Sequence, residues 1–261
     1  SHAQGFNGLT DKLLKELKSK KIVLIEDVCE SHGAKFKNKK LGSYGLFSNF
    51  SFYYAHHMST IEGGMVCTND EMIYENARML RGHGLIREMD NKNKINKLIK
   101  HYPDLNPQFI FLNSGYNFRN NELNAIIGLN QLKRLNSNIK KRNINHKYLL
   151  SKINKDKYFT YFDLIGSSNY AFNIVIKEKD YKFASKFEKV LEDNNVEYRK
   201  GSAGGGNQLR QPYLKKLFPK NHYKKFPVTE HIHNFGYYIG NYPDLKNNKI
   251  KKICKILNYS F

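Results

Sequence analysis

The chain has 261 residues, 40% of them apolar, with 44 Lys and Arg against 23 Asp and Glu and three cysteines. That length can bury a core of ordinary size, as one large domain with an appendage or as two unequal domains. It contains no run of eighteen apolar residues, no apolar stretch behind a basic start and no lipidation motif, which reads as neither membrane span nor export and so as a cytoplasmic protein. Cys29, Cys67 and Cys254 form no CxxC pair, which argues against a disulfide framework, a zinc site or an iron–sulfur cluster, and no metal is expected. The formal charge of +21 suits nucleic acid, an anionic surface or a phosphorylated small molecule. Its lysines are scattered among asparagines, as in "KNKINKLIK" and "DLKNNKIKK", without the motif of a nucleic-acid module. General lysine bias is the simpler reading, and no nucleic-acid partner is expected.

Along the chain, Leu9, Leu13, Leu14 and Leu17 share a helical face that starts at Thr10, a suitable N-cap. "KIVLIED" then reads as a central parallel strand with function at its carboxyl end. "LFSNFSFYY" and "GGMVCTN" give two more strand-like runs, and Asp70 opens a helix to Arg81 that Gly82 ends. Residues 84–108 read as a long polar excursion, a length that marks function or disorder. Two amphipathic helices follow near 121–135 and 137–153. Beyond 155, "YFTYF", "YAFNIVIK" and "VEYRK" read as strands and "YKFASKFEKVLEDN" as a helix. "GSAGGGNQLRQPY" is a Gly-rich loop, and Ile250, Ile253 and Leu257 mark a closing helix. The sum is an α/β layer, 1–135, then a connecting helix, 136–154, then a small α+β domain, 155–261.

Asp27 falls at the sheet edge where α/β proteins bind ligands, so it either holds a cationic ring nitrogen or caps a helix. Glu30 shares that face or is a solvated acid. Ser51 alternates with Phe50 and Phe52, so its hydroxyl faces a different environment and can reach a phosphate oxygen. His56 and His57 are adjacent and in an extended segment would point opposite ways, which disfavours a metal pair. One of them is a general base near neutral pH, or both are hydrogen-bonded structural histidines. Arg210, in the Gly-rich loop, either meets a diphosphate bidentately or lies on a flexible surface.

Taken together, "IEDVCESHGA", "FSNFSFYYAHHMSTIEGGMVCTND", "RMLRGHG" and "GYNFRNNELNAIIGLNQL" resemble the DegT/StrS family of sugar-modifying pyridoxal-phosphate enzymes, in the family's order over nearly the whole chain. The resemblance implies the aspartate-aminotransferase fold and either pyridoxal or pyridoxamine 5′-phosphate as cofactor. Where the family has FSFxxxK, with a lysine that holds the cofactor covalently, this chain has His56. Within the family that replacement marks sugar 3-dehydratases. The implied reaction starts from pyridoxamine phosphate and a nucleotide-linked 4-keto-6-deoxyhexose, with His56 moving the proton as the 3-hydroxyl leaves and glutamate restoring the amine.

By position, the resemblance makes Asp27 the partner of the pyridine nitrogen, Glu30 a neighbour of the ring hydroxyl and Ser51 a phosphate ligand. Asn117 would reach the phosphate held by a partner subunit, which implies a homodimer with shared sites; Arg119 helps there or forms a structural ion pair. His57 is read as structural. The resemblance begins inside the large domain, so about a third of the family's length, with a phosphate-binding turn and a ring-stacking aromatic, is expected outside this chain. The rival readings are an aminotransferase of the same family, an inactive shortened homologue acting as a binding subunit, and a nucleic-acid binder.

Overall fold

The structure, a computed structural model, describes residues 1–201 and 203–259. Its α-helices are α1 Asp11–Ser19, α2 Glu71–Arg81, α3 Lys92–His101, α4 Glu122–Lys152, α5 Tyr181–Asp193, α6 Pro212–Lys215, α7 Pro227–Phe235 and α8 Asn247–Tyr259. The strands are β1 Ile25–Asp27, β2 Lys35–Phe36, β3 Lys39–Lys40, β4 Phe47–Ser51, β5 Gly64–Thr68, β6 Ala171–Val175, β7 Tyr198–Lys200 and β8 Gly236–Gly240. The chain divides into two compact units. The first takes Ser1, Leu9–Cys29 and Lys39–Lys133; the second takes His2–Gly8, Glu30–Asn38 and Arg134–Phe261.

In the first unit the sheet order is β1-β4-β5, with β1 parallel to β4 and β5 antiparallel. Register sets Asp27 opposite Asn49 and Ser51 opposite Gly64. Thr10 caps α1, its Oγ1 accepting from the Leu13 N–H at 3.1 Å, and Asp70 caps α2 through the Ile73 N–H at 2.9 Å. Both caps satisfy backbone donors that a helix start leaves over. "KIVLIED" yields only the three residues of β1, because Ile22 and Val23 stand outside any ladder, more than half exposed.

The stretch 84–108 is not the irregular excursion its composition suggests. Asn91 caps α3 through the Lys94 N–H, and Ile95, Leu98 and Ile99 pack against a core of Met79, Ile86, Met89 and Ile110. Nor do two helices follow it. Residues 122–152 form one helix, since Asn136 and Ser137 are weak helix formers that cost a fraction of a kcal/mol, and no Gly or Pro breaks the ladder between them.

The second unit has a three-stranded antiparallel sheet ordered β6-β8-β7. Its core joins Phe172, Ile174, Tyr237 and Ile239 from the sheet with Leu149, Phe187, Leu191, Ile250 and Leu257 from the helices. "YFTYF" is not a strand. Tyr158 makes a single bridge to Ile176 and buries its ring completely, while its hydroxyl donates to the Leu257 carbonyl at 3.0 Å. Burial raises the pKa of that hydroxyl. Among the rings of Phe6, Phe162 and Phe172, burial lowers the His146 pKa to about 4, so this histidine is neutral.

Candidate active site

β1 and β4 run parallel, so Asp27 and Ser51, at their last positions, stand on the same carboxyl edge of the first unit's sheet. That edge is where parallel sheets gather functional groups. Asp27 is half-buried. Its Oδ1 accepts from the Cys29 N–H and from Asn49 Nδ2, both at 3.1 Å, and its Oδ2 accepts from Ser1 Oγ at 3.1 Å. Asn49 Nδ2 also lies 3.1 Å from Cys29 Sγ. Burial pushes the Asp27 carboxyl up, but the hydrogen bonds from Cys29, Ser1 and Asn49 outweigh it and hold the group below its ordinary value. A carboxylate so held stays anionic at neutral pH.

This has a measurable consequence. A carboxyl with a lowered folded-state pKa contributes stability that is complete above its unfolded value, near 3.8, and is lost as pH falls through the folded value. Asp27→Asn is therefore expected to lower the melting temperature at neutral pH, with the gap to the parent closing below about pH 4. A gap that stays constant through acid would overturn the assignment.

Glu26, one residue earlier, points to the other side and is 1% exposed. Its carboxylate accepts from three backbone N–H groups, Gly42 at 2.8 Å, Tyr44 at 2.6 Å and Gly45 at 2.7 Å. Both glycines are required. A Cβ at Gly42, where φ is +89°, would stand 2.8 Å from the Phe50 ring, and one at Gly45 would stand 2.6 Å from the Leu24 carbonyl oxygen. Glu26 thus fixes the turn that leads into β4.

Beyond Ser51 the chain does not stay extended. Phe52 is bonded through its N–H to the Gly63 carbonyl, and the His56 N–H donates to the Tyr53 carbonyl at 3.0 Å, closing a turn. The opposite-facing argument for the two histidines, which assumed a strand, therefore does not apply. They still separate by burial, since His57 is 4% exposed and His56 only half-buried. His56 Nδ1 lies 3.4 Å from the Ser51 carbonyl oxygen, a long contact, and its ring meets Tyr53 edge-on at 5.4 Å. Ser51 Oγ accepts from the Tyr53 N–H at 3.3 Å. Asp27, Ser51 and His56 thus collect at one edge of one sheet.

The other candidates have different settings. Asn117 is exposed and bridges Gly82 through the backbone, while Arg119 Nη2 lies 3.6 Å from Glu88 Oε1. In the second unit, Glu30 Oε2 accepts from the Gln4 N–H at 2.8 Å. Arg210 there makes a two-pronged ion pair with Glu230, at 2.8 Å from Nε to Oε1 and 2.5 Å from Nη2 to Oε2, and stacks on Tyr223 at 4.1 Å. Ser202, in the same Gly-rich loop, lies outside the described residues. Among the described residues no cluster of His, Cys, Asp and Glu could hold a metal, and no helix is long and apolar enough to cross a membrane. Sequence reasoning missed Asn49 and Glu26; the signal for the second was the "GSYG" turn downstream.

An anionic carboxylate, a hydroxyl and an imidazole on one parallel-sheet edge suit a ligand with a cationic ring and an anionic arm, as a phosphorylated pyridine has. The model of the DegT/DnrJ/EryC1/StrS aminotransferase family matches residues 2–258, and the chain belongs to that family. Its fold is accordingly the α/β architecture of the aspartate-aminotransferase type.

More particularly, the chain is 33% identical over 233 residues to the GDP-4-keto-6-deoxy-D-mannose 3-dehydratase of Escherichia coli O55:H7, covering 89% of this chain and 59% of that relative. It is 31% identical to the dehydratase of that name from Yersinia pseudotuberculosis, covering 95% and 62%. The E. coli dehydratase solved with hydrated PLP bound superposes with a TM-score of 0.85 at 30% identity, over 98% of this chain and 66% of that one. The chain spans about three fifths of the length of the curated dehydratases it matches.

Proposed function

We propose that this chain serves a pyridoxamine-phosphate-dependent dehydratase that removes the 3-hydroxyl from a nucleotide-linked 4-keto-6-deoxyhexose, with GDP-4-keto-6-deoxy-D-mannose as substrate and glutamate as amine donor. One observation carries the reading: the turn after β4, where transaminases of the family present a lysine, presents His56. Histidine cannot hold the cofactor covalently, yet it can take up and return a proton. When bound, the cofactor supplies an amine and an electron sink. Asp27 would pair with its ring nitrogen, Ser51 would hold a phosphate oxygen and His56 would take up and return a proton beside them; by the family's pattern Glu30 would serve the ring hydroxyl.

Arg119 and Arg210 are substrate contacts through the guanidinium edges that Glu88 and Glu230 leave over. Asn117 reaches the phosphate in a second copy, which makes the enzyme a homodimer with shared sites. Residues 1–135 belong to the large cofactor domain, 136–154 to a connecting helix and 155–261 to the small domain.

A non-catalytic binding subunit is the second reading to be tested. Thermal melting with added pyridoxamine phosphate separates the two. At a ligand concentration 100 times Kd, saturation is worth about 2.7 kcal/mol, or a rise of roughly 5 °C or more for a chain of this size. The rise is expected with the parent and absent with Asp27→Ala. No rise with either protein would leave the binding-subunit reading.

A further inference from the structure

A basic groove lies wholly within the second unit, and its reading does not rest on the dehydratase proposal. One face of α4, formed by Asn136, Ile139, Lys140, Asn143, Ile144 and Lys147, walls a groove of about 470 Å³. Gly33, Lys35, Gly166 and Ser167 form the other wall. The volume is that of a small-molecule site.

The two walls are tied together. Asn143 Nδ2, on α4, donates across to the Ser167 carbonyl at 2.8 Å, and within the second wall the Lys35 N–H donates to the Gly166 carbonyl at 2.7 Å. Asn143 Oδ1 accepts from the Asn169 N–H at 2.8 Å. Both glycines hold positive φ in close quarters: a Cβ at Gly33 would stand 2.6 Å from Ile139 Cδ1, and one at Gly166 would stand 2.2 Å from the Lys35 carbonyl oxygen. The groove is therefore a built surface with a fixed floor.

Its charge is of one sign. Lys35, Lys140 and Lys147 line it, no lining residue is acidic, and among the described residues none of the three makes an ion pair. Arg142, one residue from Asn143, is 6% exposed and spends Nη1 on the carbonyl oxygens of Tyr170 and Asn241, with no carboxylate bonded to it among the described residues. Burial lowers its pKa to about 10, which leaves it cationic at neutral pH. Three lysines along one groove with no acid among its lining residues raise the local positive potential, and an anion placed there lowers their repulsion. Ammonium groups act as point charges that suit phosphate oxygens.

We propose that this groove binds a small polyanion with vicinal phosphates, its diphosphate on Lys35, Lys140 and Lys147. Free pyrophosphate and a nucleoside diphosphate share that chemistry; the nucleoside of the second would lie on Ile139 and Ile144.

Isothermal titration of the full chain with pyrophosphate and with GDP tests this. The comparison is between Lys35→Gln/Lys140→Gln/Lys147→Gln and the control Lys251→Gln/Lys252→Gln/Lys255→Gln, whose three lysines are exposed on α8. The groove variant is expected to bind about tenfold more weakly or worse, and the control to stay within about twofold. Equal affinity for both ligands identifies the phosphates alone as the determinant; tighter GDP binding adds the nucleoside. Absence of binding, or equal losses in both variants, would overturn the proposal in favour of diffuse charge. A duplex oligonucleotide that displaces both ligands with the same lysine dependence would overturn it in favour of a nucleic-acid surface.

Discussion

His56→Lys is expected to turn a chain that releases pyridoxal phosphate on dialysis into one that keeps it, fixed at residue 56 after borohydride reduction. The reason is placement. The residue stands on the turn that leaves β4, its ring beside Ser51 on the edge that carries Asp27. An amine there would meet the aldehyde of a cofactor held by those two groups, whereas imidazole forms no stable bond to it. Peptide mapping is the readout, because a chain with this many lysines gives a background of surface adducts. Stoichiometric label at 56 is the expected result; label spread evenly over the surface would remove His56 from the site. The companion change, His56→Asn, keeps a polar side chain but cannot take up a proton. Under the proposed function it is expected to lower dehydratase turnover roughly 10²- to 10⁴-fold while cofactor-dependent stabilisation persists. Equal turnover in parent and variant would mean that another group moves the proton.

Glu26→Ala is expected to be the most damaging single change to the first unit. It leaves the N–H groups of Gly42, Tyr44 and Gly45 without their acceptor at a site only 1% exposed. Each buried donor so abandoned costs about 1–3 kcal/mol, so a loss of about 3 kcal/mol or more is expected in urea unfolding. Glu26→Gln separates geometry from charge. Its amide keeps one acceptor oxygen of two, and an intermediate loss follows from that count. A loss below about 0.5 kcal/mol for Glu26→Ala would show that water reaches the turn and that Glu26 does not hold it.

The parts of this molecule that sequence made legible are those written in consecutive residues. "IVLIED" placed Asp27 at a strand end because an apolar run stopped by acids needs no partner to be read. The caps Thr10 and Asp70 sat where a hydroxyl or carboxylate precedes a helical pattern, and the structure confirms both. What escaped depends on pairing across the chain. Asn49 supports Asp27 only through the parallel register of β1 and β4, which no local pattern encodes. Helix α3 was hidden by composition, since lysines and asparagines surround Ile95, Leu98 and Ile99 until only their spacing betrays them. Helix α7 runs straight into β8 with no intervening loop, and its one local signal, Gly236 at the C-cap, also opens the strand. The turn at 54–58 defeated the alternation rule for His56 and His57, because that rule holds only for extended backbone.

The position of β8 bears on how the second unit comes into being. Both other strands of that sheet hydrogen-bond to β8, and it is the last of the three along the chain. During synthesis, β6 and β7 therefore emerge with no native strand neighbour, and each must wait for Gly236–Gly240. Both pairings then close long loops, which is the slow kind of β assembly. Until that moment the apolar residues of β6 are held in check only by the helices around them, and the final quarter of the chain decides when the sheet exists at all.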